Sequence, residues 1–152
     1  MSLTPLKYEF YIDAPLETVW NTFISPEGVR QIFFGSELRS SFAVGEPYQY
    51  VGPGKDGDET VHVYGTILEY EPNKRISMTE HPGPSYWDNH AELQTRMTYT
   101  LETVYNCTKL TFVNDEWTDG HPSYERVSQD WWLILSNIKT LAETGKPMNF
   151  QW

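Results

Sequence analysis

The chain has 152 residues, a formal net charge of −10 and a sequence pI of about 4.7, and aromatic residues make up 15% of it. So acidic a surface, with no basic cluster to interrupt it, repels phosphate backbones and anionic lipid, which argues against nucleic-acid binding. The length fits a single domain over 1–152, with a core at about 7–145 and a tail at 146–152.

Cys107 is the only cysteine, so no internal disulfide can form, and a reducing, cytoplasmic setting is expected. No apolar run has signal-peptide or membrane-span length. Asn106-Cys107-Thr108 matches a glycosylation sequon and in this setting reads as a tight turn.

Lys7 to Ile12 is rich in aromatic and β-branched residues and predicts a strand. Asp13-Ala14-Pro15 breaks it, and Pro15 suits the start of a helix because its missing N–H needs no partner there. Leu16, Val19, Trp20 and Phe23 follow at helical spacing. Ser25-Pro26-Glu27 opens a second short helix through Val29, Ile32 and Phe33, with Ser25 as cap and Gly35 as stop.

Turns punctuate the middle. Strands are expected at Tyr48–Val51, Thr60–Tyr70 and Arg75–Glu80, separated by the Asp56-Gly57 hairpin signal and by Glu71-Pro72-Asn73-Lys74. His81 to Ala91 has two prolines and a glycine and predicts no regular element, with Trp87 inside it. Alternation returns in Met97, Tyr99 and Leu101, then in Leu110 and Phe112 after the Asn106-Cys107 turn, so both sets face one core. Asn114 and Glu116 extend that parity and are expected to face inward.

From about Pro122 to Thr144 runs the longest helical pattern, closed by Gly145 and Pro147. Val127, Trp131, Leu135, Ile138 and Ala142 form one stripe, while Trp132 points about 100° away. A helix of this length spans ~30 Å, enough to cross a small sheet. Phe150 and Trp152 are expected to dock on the body.

The order is strand, two short helices, β-meander, long C-terminal helix. It resembles the helix-grip fold of the START-like (SRPBCC) superfamily, an α+β class with a curved antiparallel sheet gripping the last helix. The motifs more specifically resemble the heat-shock-protein-90 ATPase activator homologue family in its single-domain form. Its opening Ile-x-Ala-Pro-x-x-x-Val-Trp signature is present in Ile12, Ala14, Pro15, Val19 and Trp20, and its Asp-Pro-Glu helix start as Ser25-Pro26-Glu27. Gly65, Ile67, Glu69, Pro72, Arg75 and Ile76 match a central stretch, as do Thr98, Leu101, Glu102, Thr108, Leu110 and Thr111. The closing motif falls on Trp131, Leu135, Ile138, Lys139, Glu143 and Gly145. Two positions depart from the pattern: Ile32-Phe33 stand where the family has tryptophan, and Asp130 where it has glycine. The eukaryotic activators make their principal chaperone contact through an additional N-terminal domain. A chain of 152 residues has no room for one, so chaperone stimulation is not carried over.

Tests for chemistry return little. His62, His81, His90 and His121 form no helical pair, and neither HExxH nor CxxC occurs, so no metal or other cofactor is expected. His81 and His90 flank the irregular loop, which could bring them together. No Gly-x-Ser-x-Gly and no phosphate-binding glycine loop occurs, and no catalytic residue is assigned. Glu80, Asp115 or Glu116 at a cavity mouth would leave a cyclase- or hydrolase-type enzyme as one alternative, tested at Glu116, Asn114 and His81. A chaperone-associated or oligomeric interaction module using Trp132 or Trp152 is another.

The leading expectation is a non-enzymatic protein that holds a small hydrophobic or amphipathic molecule between the long helix and the sheet. The candidate lining is Phe33, Trp87, Met97, Tyr99, Phe112, Asn114, Glu116, Val127, Trp131 and Leu135. No membrane insertion is expected, and the chain is expected to be a monomer or homodimer.

Overall fold

The computed structural model describes residues 2–150; Met1 and the expected docking of Trp152 lie outside them. Strand β1 (Leu6–Ile12) leads into helices α1 (Leu16–Ile24) and α2 (Pro26–Ile32). Pro15 stands at the N-cap of α1 in extended conformation, where it forces the chain to turn before helix begins. Ser25 caps α2, its hydroxyl accepting from the Gly28 N–H at 3.1 Å, and Pro26 fills the first helical position.

Six further strands follow: β2 (Glu37–Ser40), β3 (Pro47–Pro53), β4 (Glu59–Glu71), β5 (Arg75–Pro82), β6 (Thr95–Val104) and β7 (Cys107–Asp115). A single 3₁₀ turn at His90–Glu92 interrupts the otherwise irregular segment between β5 and β6. The seven strands form one antiparallel sheet in the order β1-β7-β6-β5-β4-β3-β2, so the first strand closes beside the last. Register breaks opposite Tyr50/Val51 and at Ile67/Glu69 leave His62 and Leu68 as extra residues, two bulges in β4. Bulges bend and twist the strands that carry them, and these two curl this half of the sheet.

The concave face follows the strand period of two. Tyr8 and Ile12 on β1, Ile76 and Met78 on β5, Met97, Tyr99 and Leu101 on β6, and Leu110 and Phe112 on β7 are all buried. Helix α3 (Tyr124–Thr144) lies over this face. Its stripe is buried as expected at Trp131, Leu135 and Ile138, with Leu141 added. The Trp131 ring packs 4.1 Å from Phe112, centroid to centroid, and edge-on to Phe33. Trp132 turns toward β1 instead, meeting Tyr8 edge-on at 4.7 Å and Phe10 at 5.9 Å. Gly145 ends α3 in the left-handed region (φ 81°), returning its N–H to the Leu141 carbonyl.

The grip is uneven along α3. Its C-terminal half is sealed by α1, whose Val19, Trp20 and Phe23 fill the space between helix and sheet. Its N-terminal half has no second helix beneath it, and there the interior opens.

Candidate functional site

That opening is a cleft of about 600 Å³. One wall is the N-terminal half of α3, with Arg126, Val127, Asp130, Trp131 and Ile134. The opposite wall is the inner face of the curled sheet, with Tyr50 on β3, Val63 on β4, Glu80 and Pro82 on β5, and Met97 on β6. Phe33 and Phe34 from the end of α2 close one side, and Tyr86 and Trp87 stand at the mouth. A second, open depression of about 480 Å³ lies around the β6–β7 turn, lined by residues that include Leu16, Asn73, Tyr105 and Asn106.

Of the residues proposed from sequence, Phe33, Trp87, Met97, Val127 and Trp131 border the cleft. Tyr99, Phe112 and Leu135 are fully buried and pack behind it as core. Asn114 faces inward, but its amide is used up by the fold. Its Nδ2 donates to Thr95 Oγ1 at 2.8 Å and to the Arg96 carbonyl at 3.0 Å, and its Oδ1 accepts from Trp131 Nε1 at 3.0 Å.

Glu116 corrects the expected alternation. The strand ends at Asp115, and Glu116 takes a left-handed conformation (φ 52°) that turns it out of the sheet's parity. Its side chain is 62% exposed and pairs with Arg96 at 2.9 Å. Asp115 holds the same guanidinium with two hydrogen bonds of 2.8 and 2.7 Å, outside the cleft.

Glu80 is the carboxylate the cleft contains. It continues the inward parity of Ile76 and Met78 on β5. It is half-buried, with the cleft opening onto it. It makes no hydrogen bond or ion pair among the described residues. Burial disfavours its charged form and raises its pKa to about 7. Beside it stand two tyrosines whose hydroxyls have no hydrogen-bond partner, Tyr50 (4% exposed) and Tyr99 (0%). Both are pushed well above the usual phenol range, first by burial and then by charge on Glu80 and, for Tyr99, on Tyr50. Tyr48 completes the group but is satisfied, donating to the Thr79 carbonyl at 2.6 Å.

His121 borders the cleft near the start of α3 and is buried. Its Nδ1 accepts from the Ser123 N–H at 3.2 Å, which leaves the proton on Nε2, and that atom has no partner. Burial lowers its pKa and favours the neutral ring.

The irregular segment is fastened by the other histidines. His62 on β4 accepts from Tyr86 and donates to the Pro53 carbonyl. The Tyr64 hydroxyl bonds His90, and its ring stacks on His81, whose Nδ1 donates to the Leu93 carbonyl. His81 and His90 therefore do approach each other through Tyr64. No group of three or more metal-ligating side chains occurs among the described residues. Trp87, held at the mouth by this fastening, is 41% exposed.

In the sequence the α3 stripe is plain, while Glu80 reads only as a carboxylate at the cavity mouth. The parity of Ile76, Met78 and Glu80 was the available signal. The orphaned tyrosine hydroxyls depend on β3 lying across the curled sheet, which no local pattern reveals.

Residues 13–143 match the family described as Activator of Hsp90 ATPase homolog 1-like protein. Among solved structures, the chain resembles the Aha1 dimer from Colwellia psychrerythraea at a TM-score of 0.70 and 17% identity, covering 95% of this chain and 99% of that one. A protein from Arthrobacter aurescens aligns at a TM-score of 0.75 and 14% identity, over 97% and 91% of the two chains. DynU16, from the dynemicin biosynthetic locus, aligns at 0.71 and 21% identity, over 97% of this chain and 50% of its own. At these identities the likeness is one of fold, the START-like helix-grip. No curated protein matches the chain in sequence.

Proposed function

The chain belongs to the Activator of Hsp90 ATPase homolog 1-like family, and from that premise we propose that it binds a small amphipathic molecule in the cleft between α3 and the sheet. The observation that carries this reading is the cleft itself, about 600 Å³ with aromatic and aliphatic walls and a few polar groups at its inner end. That size and lining are typical of sites for small organic ligands. The lone, unpaired Cys107 supports a reducing, cytoplasmic setting. No helix among the described residues is long and apolar enough to cross a membrane.

An environment-sensitive neutral aromatic probe, N-phenyl-1-naphthylamine, tests the reading directly. Titration into the full chain should give saturable one-to-one binding with a blue-shifted emission. Val127→Trp fills the cleft from the α3 wall and should abolish binding while leaving the unfolding transition intact. Binding that ignores Val127→Trp, or no stoichiometric binding at all, overturns the proposal.

A further inference from the structure

We infer that the inner end of the cleft is a subsite for a protonated amine, so that the ligand is an apolar or aromatic molecule carrying a cationic ammonium group. This deepens the reading of the cleft as a ligand site and rests on it. The geometry points this way because the subsite is made of oxygens that lack partners. Glu80 contributes a carboxylate that lines the cleft with neither ion pair nor hydrogen bond, and Tyr50, also in the lining, contributes a hydroxyl oxygen with none, while the unpartnered Tyr99 hydroxyl lies behind them in the core. Such groups are rare in folded interiors, and each one calls for something to satisfy it. An ammonium offers three N–H donors and no acceptor. The Glu80 carboxylate and the Tyr50 phenol oxygen, its hydroxyl free to turn its proton aside, offer acceptors on the sheet wall of the cleft.

Charge and wall chemistry agree. A half-buried carboxylate without a counter-charge is costly to ionise, and a cation entering the cleft is what removes that cost. The nearest side-chain cation bordering the cleft, Arg126, is largely exposed at the rim and is engaged by Asp130 at 3.4 Å. The approach is lined by Trp131, Trp87, Phe33 and Tyr86, whose ring faces attract a cation as it passes. A net charge of −10 draws cations and repels anions at longer range.

The other titratable groups facing Glu80 do not oppose this. Tyr48, Tyr50 and Tyr99 are held protonated by burial, and His121 is held neutral. His62 is engaged at both ring nitrogens by Tyr86 and Pro53.

The test uses three isosteric probes on the full chain: 2-naphthylmethylamine, 2-naphthalenemethanol and 2-naphthoate. At about pH 8 the amine should bind at least about tenfold more tightly than the alcohol, and the carboxylate least. Amine affinity should rise about tenfold from about pH 6 to about pH 8, as Glu80 ionises, while alcohol affinity stays flat. Glu80→Gln should erase both the amine preference and its pH dependence and leave the alcohol bound. The wild-type pH series tests the inference without any variant. Alcohol or carboxylate bound as tightly as the amine overturns the ammonium subsite and leaves the cleft reading standing. If none of the three binds, the cleft reading itself fails.

Discussion

Trp131 Nε1 donates to Asn114 Oδ1 at 3.0 Å, a buried bond that ties the centre of α3 to the inner face of β7. The same amide spans β6 and β7 through Thr95 and the Arg96 carbonyl, so one side chain fixes helix and sheet together. Asn114→Leu should therefore destabilise the protein by roughly 3 kcal/mol, since it strands the indole N–H in a dry interior and removes both Nδ2 bonds to β6. Urea unfolding of Asn114→Leu, Trp131→Phe and the double variant checks it. A coupling near zero between the two positions would show that the bond contributes no stability.

The raised pKa of Glu80 makes stability depend on pH in a direction that can be worked out. In the unfolded chain the group titrates near 4.5, and in the fold near 7. Between those values the native state holds more protons than the unfolded state, so stability falls as pH rises through that window and levels off above it. The full difference is on the order of 3 kcal/mol, less whatever solvent in the cleft screens. His121 acts oppositely, because burial depresses its pKa and its contribution is lost as pH falls below about 6.5. Subtracting wild type from Glu80→Gln isolates the carboxylate. Urea midpoints from pH 5 to 8 should show the variant gaining steadily on wild type, and parallel curves would place Glu80 in water.

Most of the architecture was legible in the sequence because local chemistry and tertiary need coincide. Pro15, Ser25 and Pro26 announce α1 and α2 by backbone constraint alone, and the α3 stripe is long enough to survive averaging. Strand β2 was not legible. Its four residues, Glu37 to Ser40, carry charges that pair with Arg30 and Glu59, and only its register with β3 makes it a strand. The site was legible in part. Phe33, Met97, Val127 and Trp131 follow from periodicity. The outward turn of Glu116 follows from one left-handed residue, which parity cannot foresee.

Thr108 is the residue that a reader of sequons would place at the surface. It is 1% exposed, and its hydroxyl donates to the Ala14 carbonyl at 2.7 Å, locking the start of β7 to the turn that launches α1. Thr108→Val keeps the shape and removes the donor. It should destabilise by about 1–2 kcal/mol in thermal or urea unfolding, and a neutral result would mean the carbonyl finds another partner.

Gly65 on β4 lies opposite Tyr48 of β3, where the neighbouring strands leave no room for a side chain. A methyl group there would run into the Thr79 carbonyl oxygen and stand 2.8 Å from Cε2 of Tyr48. Backbone on one side cannot give way, so the Tyr48 ring has to move, and its bond to Thr79 moves with it. Tyr48 packs edge-on to Tyr50 at 5.7 Å, which carries the displacement to the subsite. Gly65→Ala should thus destabilise the fold by roughly 2 kcal/mol and also weaken binding of 2-naphthylmethylamine more than that of 2-naphthalenemethanol. Calorimetric unfolding with parallel titrations separates the two effects. Equal weakening of both probes would mean the displacement stops at Tyr48 and never reaches the Tyr50 hydroxyl.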